Sequence, residues 1–152
     1  MIEIIQKFSG EHEFLSNFSP HGFKLQDIWF PTNEHFFQAM KCKVGDLKSF
    51  REIVDAPTPG KAKRIARKVP LRENWDEIKI QIMSDGLGFK FEQNPDIRQK
   101  LLDTGEAMLI EGNNWHDNFW GDCKCEKCIL KMGRNLLGVS LMFLRGRIRQ
   151  EQ

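Results

Sequence analysis

The sequence of 152 residues has no long apolar run, little net charge and few cysteines, and each of these absences excludes a class of protein. No apolar stretch approaches the roughly 20 residues that a membrane-spanning helix needs. A formal net charge of +2 does not give the strongly basic field of a dedicated nucleic-acid-binding protein. The first residues show no signal-peptide pattern, so we expect a soluble, cytoplasmic protein. Its four cysteines are then expected to be reduced thiols or metal ligands, and not a disulfide framework.

The length and patterning of the chain predict a single domain over residues 1–152, of a mainly helical α+β class with a small β-sheet. An apolar content of 40% suffices to bury a core without disulfides or a metal. Thr32, Asp46 and Thr58 are N-cap residues before amphipathic stretches, and Pro59 suits a first helical position. Helices are expected near 32–41, 47–54, 60–68, 74–93, 96–103 and 135–150. Strands are expected near 2–7, 22–30 and 107–110, the first two in one small N-terminal sheet.

The run from Pro31 to Lys41 combines ionisable and aromatic residues at a predicted helix start. On a helix, Glu34, Gln38 and Lys41 are spaced i, i+4, i+7 and share one side. Aromatic neighbours would place the carboxylate and the amine in a partly dry wall, where pKa values shift. The alternative is a surface ion pair on an ordinary amphipathic helix.

The segment from Gly112 to Asp122 is a second unusual stretch, with two carboxylates, an imidazole and two indoles in a sequence of turn composition. It predicts a pocket in which an indole stacks on a flat heterocycle while a carboxylate handles a proton or a sugar hydroxyl. Trp75, at a predicted helix start, would supply a second aromatic surface. The alternative is that the aromatics fill the core while Asp117 and Asp122 cap helices or turns.

Six segments resemble the NADAR family, also called YbiA-like, in order and spacing. They are Leu15–Phe18, Pro31–Lys41, Ala56–Pro59, Pro70–Trp75, Phe119–Gly121 and Gly133–Gly138. The resemblance spans nearly the whole chain and implies an α+β, mostly helical fold. It also implies hydrolysis of an N-glycosidic bond between ribose C1 and an amine nitrogen of a heterocycle. We expect this reaction to need no cofactor. Two substrate classes are associated with such proteins: phosphorylated ribosylamino-pyrimidine intermediates of riboflavin synthesis, and guanine ADP-ribosylated on its exocyclic amine.

The resemblance also implies the catalytic residues. The positions regarded as catalytic in the family match Glu34, Trp75 and Asp117 of this sequence, and the lysine of the family motif matches Lys41. Carboxylates suit this chemistry, because C1 becomes positive as the bond breaks and the leaving amine needs a proton. Glu34 is therefore expected to be the general acid/base, and Asp117 to stabilise the cationic centre or orient the sugar diol. Lys41 offers a different route, since its amine could trap the opened sugar as a Schiff base.

Further residues in or near the matching segments are expected to bind the substrate. They are Asn17, Phe18, Gln38, Trp120, Gly121, Arg134 and Asn135, with phosphate contact expected first at Arg134. The basic helix from Lys61 to Lys68 is interpreted as a solvated face. The competing function is a non-catalytic module that binds ADP-ribose or a related nucleotide. The expected partner is a small ribosylated, phosphorylated heterocycle or an ADP-ribosylated guanine, including one carried in DNA, and no membrane.

The cysteines at 123, 125 and 128 form a C-x-C-x2-C pattern, with His116 or Cys42 as a candidate fourth ligand. Three soft ligands in one short loop are compatible with zinc. A complete structural zinc site usually shows two separated ligand pairs, which this sequence lacks. Reduced thiols at Cys123, Cys125 and Cys128, in a metal-independent enzyme, are therefore the favoured interpretation.

Overall fold

A computed structural model describes all of residues 1–152 and divides them into two compact units. The terminal unit comprises Met1–Ser16 and Pro95–Gln152, and the central unit comprises Asn17–Asn94. Helices dominate both units, so the predicted mainly helical α+β class is confirmed. That the chain acts as a single domain stays a prediction. None of the helices combines the length and the apolar character needed to cross a membrane.

The elements follow the predicted order closely. In sequence they are β1 (Ile4–Ile5), a 3-10 helix (Gly10–Leu15), β2 (Phe23–Leu25), β3 (Ile28–Phe30), α1 (Asn33–Ala39), α2 (Leu47–Val54), α3 (Pro59–Ala66), α4 (Trp75–Gln93), α5 (Pro95–Asp103), β4 (Met108–Leu109), β5 (Gly112–Asn113), β6 (Asp122–Cys123) and α6 (Leu136–Gln150). Three predicted N-caps are confirmed: Thr32, Asp46 and Thr58 each accept a hydrogen bond from a backbone N–H three residues on. The 3-10 helix and the strands β5 and β6 had no sequence signal.

The predicted single N-terminal sheet is wrong. In the central unit β2 pairs with β3 in an antiparallel hairpin, and in the terminal unit β1 pairs with β4 and β5 with β6, both parallel. The hairpin closes on itself because Gln26 and Asp27 both adopt left-handed backbone angles, φ 48° and 66°, as a tight two-residue turn requires. Strand propensity identifies a segment as extended but does not name its partner.

The core of the central unit is aromatic. Phe23, Phe30 and Phe36 are buried with ring centroids 5.2–5.6 Å apart, and α2 and α3 pack around them. Helices α1 and α4 also meet closely, because Gly86 on α4 leaves room for Asn33 of α1: a Cβ at 86 would lie 2.1 Å from Asn33 Oδ1. This close approach fixes the start of α1, which carries Glu34.

The core of the terminal unit is aliphatic. Helix α6 contacts both α5 and β4, and buries Leu141 and Ile148 on its inner face. Gly138 is required for this contact, since a Cβ there would lie 2.0 Å from the carbonyl oxygen of Leu109 in β4. The residues that follow β4 up to the start of α6 form a long loop held by hydrogen bonds. That loop contains the second group of predicted site residues.

Candidate active site

Glu34 lies in the first turn of α1 with its side chain buried. Its backbone N–H donates to the carbonyl of Asn17 over 3.0 Å, and its Oε1 accepts a hydrogen bond of 2.7 Å from Gln38 Nε2. Burial raises the pKa of Glu34 above its ordinary value, against the opposing effects of the Gln38 hydrogen bond and nearby cations. The interpretation as a surface ion pair is therefore wrong, and this carboxyl is placed to hold a proton.

The side chain of Gln38 also has a feature that bears on substrate binding. Its Oε1 is buried and has no hydrogen-bond partner, although its amide nitrogen is engaged with Glu34. A buried acceptor without a partner is costly, and a ligand N–H or O–H would relieve that cost. The geometry thus agrees with the prediction that Gln38 contacts the substrate, a role that stays a prediction.

Lys41 lies beyond the end of α1 and not on its face, because the helix ends at Ala39. The last turn tightens there, with Lys41 N–H donating to the Gln38 carbonyl. The ammonium group lies 5.5 Å from the centre of the Phe37 ring. Burial lowers the pKa of Lys41, Glu34 opposes that shift, and three other cations reinforce it. Lys41 therefore does act electrostatically on Glu34, as expected. The helical spacing used to predict this was the wrong reason, because Lys41 lies outside the helix.

Trp75 begins α4 and is only 5% exposed. Its ring meets Phe37 edge to face, with 5.0 Å between centroids, so Phe37 is a neighbour of both the Lys41 amine and the indole. The backbone N–H of Arg72 donates to the carbonyl of Lys41 over 2.9 Å, which joins the segment before Trp75 to the end of α1. The structure thus brings together three of the four predicted catalytic residues, Glu34, Lys41 and Trp75, within the central unit.

The interpretation of the basic segment as a solvated face is confirmed for Lys61, Arg64, Arg67 and Lys68, which are exposed, and not for Lys63. Lys63 is half-buried and acts on the charges of both Glu34 and Lys41, and Arg67 also lowers the pKa of Lys41. Lys79 on α4 adds to the same effect. The i, i+4 spacing of Lys63 and Arg67, and of Trp75 and Lys79, was the available signal. The candidate site in this unit therefore consists of a buried acid, Glu34, and a lysine, Lys41, both in the electrostatic field of nearby positively charged side chains.

Asn17 and Phe18 precede this group in the chain. Asn17 is buried, accepts a hydrogen bond of 2.9 Å from Asn33 Nδ2 and donates to Met83 Sδ, so its side chain holds the start of α1 in place. Phe18 is 46% exposed, which suits a residue that lines a pocket. Their predicted contact with substrate stays a prediction.

Asp117 lies in the terminal unit, in a turn built by Asn113. The buried Asn113 side chain accepts from the backbone N–H of Asp117 over 3.1 Å and donates to its carbonyl over 2.8 Å. One carboxylate oxygen of Asp117, Oδ1, accepts from the N–H groups of Phe119 and Trp120. Asp117 therefore has the capping role that the sequence offered as an alternative. These hydrogen bonds use Oδ1, one of its two carboxylate oxygens.

Trp120 and Arg134 surround Phe119 in the same loop. The Phe119 and Trp120 rings meet at 88° with centroids 4.8 Å apart, and the Arg134 guanidinium lies 5.0 Å from the Phe119 ring centre. The Arg134 residue is exposed, and its backbone N–H donates to the carbonyl of Asn118 over 2.7 Å. An exposed guanidinium held over a ring is compatible with the predicted phosphate contact.

Gly121 and Asn135 have structural roles that the sequence did not reveal. A Cβ at Gly121 would lie 2.3 Å from the Glu111 carbonyl oxygen. Asn135 has a left-handed backbone, and its amide group donates to the Leu109 carbonyl over 2.8 Å and accepts from the Glu111 N–H over 2.9 Å. Both ends of the amide are engaged, so its geometry favours positioning of the loop over substrate contact.

The cysteine loop is the one place in the structure where metal-ligand side chains converge. The ligand atoms of His116, Cys123, Cys125 and Cys128 all lie within 4.8 Å of one another. His116 is thus the fourth member, and not Cys42, which is buried in the core of the central unit.

Comparison with known proteins identifies the family and agrees with the fold. A family model described as the NADAR domain matches residues 5–149. N-glycosidase Npun_R5314 of Nostoc punctiforme is 43% identical over 138 residues, which cover 88% of this chain and 84% of that protein. N-glycosidase YbiA of Escherichia coli is 38% identical over 146 residues, or 95% and 86% of the two chains. The NMR structure of E. coli YbiA covers 99% of this chain and 88% of its own, with a TM-score of 0.84 and 36% identity. A maize protein, "Riboflavin biosynthesis protein PYRR, chloroplastic", is 34% identical over 148 residues, or 88% of this chain and 23% of that protein.

Proposed function

The chain belongs to the NADAR family, and we propose that it hydrolyses the bond between ribose C1 and the amine nitrogen of a phosphorylated ribosylamino-pyrimidine. At the coarser level the chain is an enzyme of the N-glycosidase class, since relatives of that name are 43% and 38% identical over most of its length. The pyrimidine substrate is favoured because the maize relative carries the name of a riboflavin biosynthesis protein.

The observation that carries the mechanism is the buried carboxyl of Glu34. Its raised pKa favours the protonated acid, and the short hydrogen bond from Gln38 fixes its direction. In direct hydrolysis Glu34 donates its proton to the amine nitrogen as the C1–N bond breaks and the bonding electrons stay on nitrogen. Water forms the new C1–O bond and loses a proton to a carboxylate. The family resemblance gives Asp117 the task of stabilising the positive sugar, which we retain as a prediction.

Lys41 supports a second route to the same products. Burial and the neighbouring cations lower its pKa, which increases the fraction of neutral, nucleophilic amine. After the sugar ring opens, the Lys41 nitrogen adds to C1 and expels the heterocyclic amine, which takes a proton from Glu34. Water then hydrolyses the resulting imine and releases the sugar aldehyde and the free lysine. Both routes need Glu34, and only the second forms a covalent adduct.

The positive field from Lys63, Arg67 and Lys79 suits a phosphorylated substrate. These cations act on Lys41, and Lys63 acts also on Glu34, so they surround the proposed chemistry in the central unit. Cations near a reaction site raise the local concentration of an anionic substrate. The same field lowers the pKa of the amine nucleophile, so binding and activation use one set of charges.

The test is an assay with both candidate substrates, in which release of ribose phosphate or of ADP-ribose is followed. We expect release from the phosphorylated ribosylamino-pyrimidine, and Glu34→Gln should fold normally and lose about 100-fold or more in kcat. Glu52→Gln, an exposed carboxylate on α2, is the matched control and should keep full activity. Wild-type turnover by Glu34→Gln would remove this residue from the mechanism, and release from ADP-ribosylated guanine alone would overturn the substrate.

Borohydride added during turnover separates the two routes. A reduced adduct on Lys41, detected by peptide mass, is expected for the imine route and should be absent in Lys41→Ala. Lys48→Ala, an exposed lysine on α2, serves as its control. An active enzyme that is never trapped, or an adduct that survives in Lys41→Ala, would exclude the imine at this residue.

A further inference from the structure

We infer that His116, Cys123, Cys125 and Cys128 form a structural zinc site. Their ligand atoms, the imidazole nitrogen and three sulfurs, lie within 4.8 Å of one another. Three cysteines and one histidine are a ligand set of structural zinc, which takes four protein ligands in a tetrahedron. The proposal concerns the loop itself and stands whether or not Asp117 takes part in catalysis.

The observed spacings agree with a tetrahedral centre. Zinc bound to sulfur and to a histidine nitrogen at their usual distances separates those two ligand atoms by about 3.6 Å. In this structure His116 Nδ1 lies 3.3 Å from Cys125 Sγ and 3.5 Å from Cys128 Sγ. Sulfur pairs in such a site are about 3.8 Å apart, so a contraction of at most about 1 Å would complete the tetrahedron.

The ligands also have the supporting hydrogen bonds that metal sites use. The backbone N–H of His116 donates to Cys123 Sγ over 3.3 Å, and that of Cys125 donates to the same sulfur. Asn118 links two ligands, since its side chain bonds to Cys128 and its Oδ1 accepts from the Cys123 N–H over 2.9 Å. Such outer-shell contacts stabilise thiolates and orient the ligands.

The loop needs a cross-link because it lacks a core of its own. From Gly112 to Arg134 its regular structure is limited to two strands of two residues each. The buried residues in this range are Asn113, Gly121, Cys123 and Cys128, so no aliphatic or aromatic side chain is fully buried. Three apolar residues beside the last cysteine, Ile129, Leu130 and Met132, are instead 57–97% exposed. A segment of this kind is usually held by disulfides or a metal, and all four cysteines of the chain are free thiols.

The backbone at His116 gives independent support. Its φ of +68° is left-handed, an uncommon conformation for a residue with a Cβ. Strained backbone of this kind persists where the surroundings require it, often at ligand sites. Here His116 Nδ1 lies within 3.5 Å of the sulfurs of Cys125 and Cys128, and the next residue is Asp117. Zinc at this position would therefore also hold the turn that presents Asp117.

The test is metal analysis of the full chain, purified from zinc-supplemented medium in reducing buffer without chelator. We expect about one zinc per chain, and loss of most of it in Cys125→Ser, whose side chain is half-buried at the rim of the cluster. Cys42→Ala, which removes the remaining cysteine, is the control and should keep its zinc. Wild-type protein with below about 0.1 zinc per chain, or Cys125→Ser with undiminished zinc, would overturn the proposal.

Cobalt provides a measurement that does not depend on a variant that folds. The wild-type chain, stripped by a chelator and refilled with Co²⁺, should show the strong visible bands of tetrahedral cobalt and a sulfur-to-cobalt charge-transfer band. It should also regain the melting temperature that it loses on stripping. Absence of both changes, or a disulfide among the three cysteines in reducing buffer, would refute the site.

Discussion

Gly86→Ala is expected to destabilise the protein although it places a better helix former inside α4. In an unobstructed helix the change from glycine to alanine stabilises by about 1 kcal/mol. At position 86 the added Cβ would lie 2.1 Å from Asn33 Oδ1 and 2.8 Å from a ring carbon of Phe36. Neither neighbour can yield freely, because both are buried and Asn33 Nδ2 donates to Asn17 Oδ1.

The net effect can be worked from these contacts. Forcing extra volume into a packed core costs about 1–3 kcal/mol, and loss of the Asn33–Asn17 hydrogen bond adds about 1 kcal/mol. After subtraction of the helix preference, we expect a net loss of about 2 kcal/mol. For a protein of this size that loss lowers the melting temperature by about 4–8 °C. The displacement also moves the start of α1, so kcat should fall with it.

The matched control is Gly146→Ala on α6. It is the same substitution inside a helix, but nothing lies within 4 Å of the added Cβ. This variant should gain up to about 1 kcal/mol and unfold at a higher temperature. Urea denaturation of both variants gives the comparison directly. Equal stabilisation by the two substitutions would refute the argument that Gly86 is required for the approach of α1 to α4.

Two further predictions concern the side chains that support the site. Since burial raises the pKa of Glu34, the folded state binds this proton more tightly than the unfolded state, and stability decreases as pH rises from the ordinary glutamate pKa to the raised one. The unfolding free energy of Glu34→Gln relative to wild type should therefore increase across that window in denaturation series at several pH values; a difference independent of pH would contradict the shift. Asn113→Ala removes three hydrogen bonds from the Asp117 turn and should cost about 2–3 kcal/mol, measured by thermal unfolding, whereas the exposed Asn114→Ala should change little.

Local features of the fold were predictable from the sequence. The caps at Thr32, Asp46 and Thr58 depend on one side chain and a backbone N–H three residues on, and all three are present. The partner of β1 was not predictable, because its pairing with β4 joins residues about a hundred positions apart. Local propensity contains no information about such a contact. The prediction of one small N-terminal sheet was wrong for this reason, while the predicted helices are present.

The candidate site shows the same division. The family resemblance selected Glu34, Lys41 and Trp75, which the central unit brings together, but helical spacing placed Lys41 on a helix that ends two residues earlier. Just after the end of that helix, Cys42 forms a β-bridge with Leu71, on a segment distant in sequence. Likewise, His116 and Cys42 were equal candidates beside the cysteine loop. The choice between them depended on tertiary structure, because Cys42 is buried in the core of the central unit while His116 lies beside the three thiols.

Asparagines, more than the ionisable groups themselves, determine where the candidate site residues lie, and Asn17, Asn33 and Asn113 are buried. In the central unit, Asn17 accepts from Asn33 through its side chain and from Glu34 through its carbonyl, so two asparagines set the start of α1. In the terminal unit, Asn113 supports the turn at Asp117 and Asn135 joins the loop to β4. An amide has a donor and an acceptor and can satisfy irregular backbone that no apolar side chain could. Each of these residues, when truncated, leaves polar groups without partners, so alanine substitutions there should cost more stability than substitutions of the predicted catalytic residues that they position.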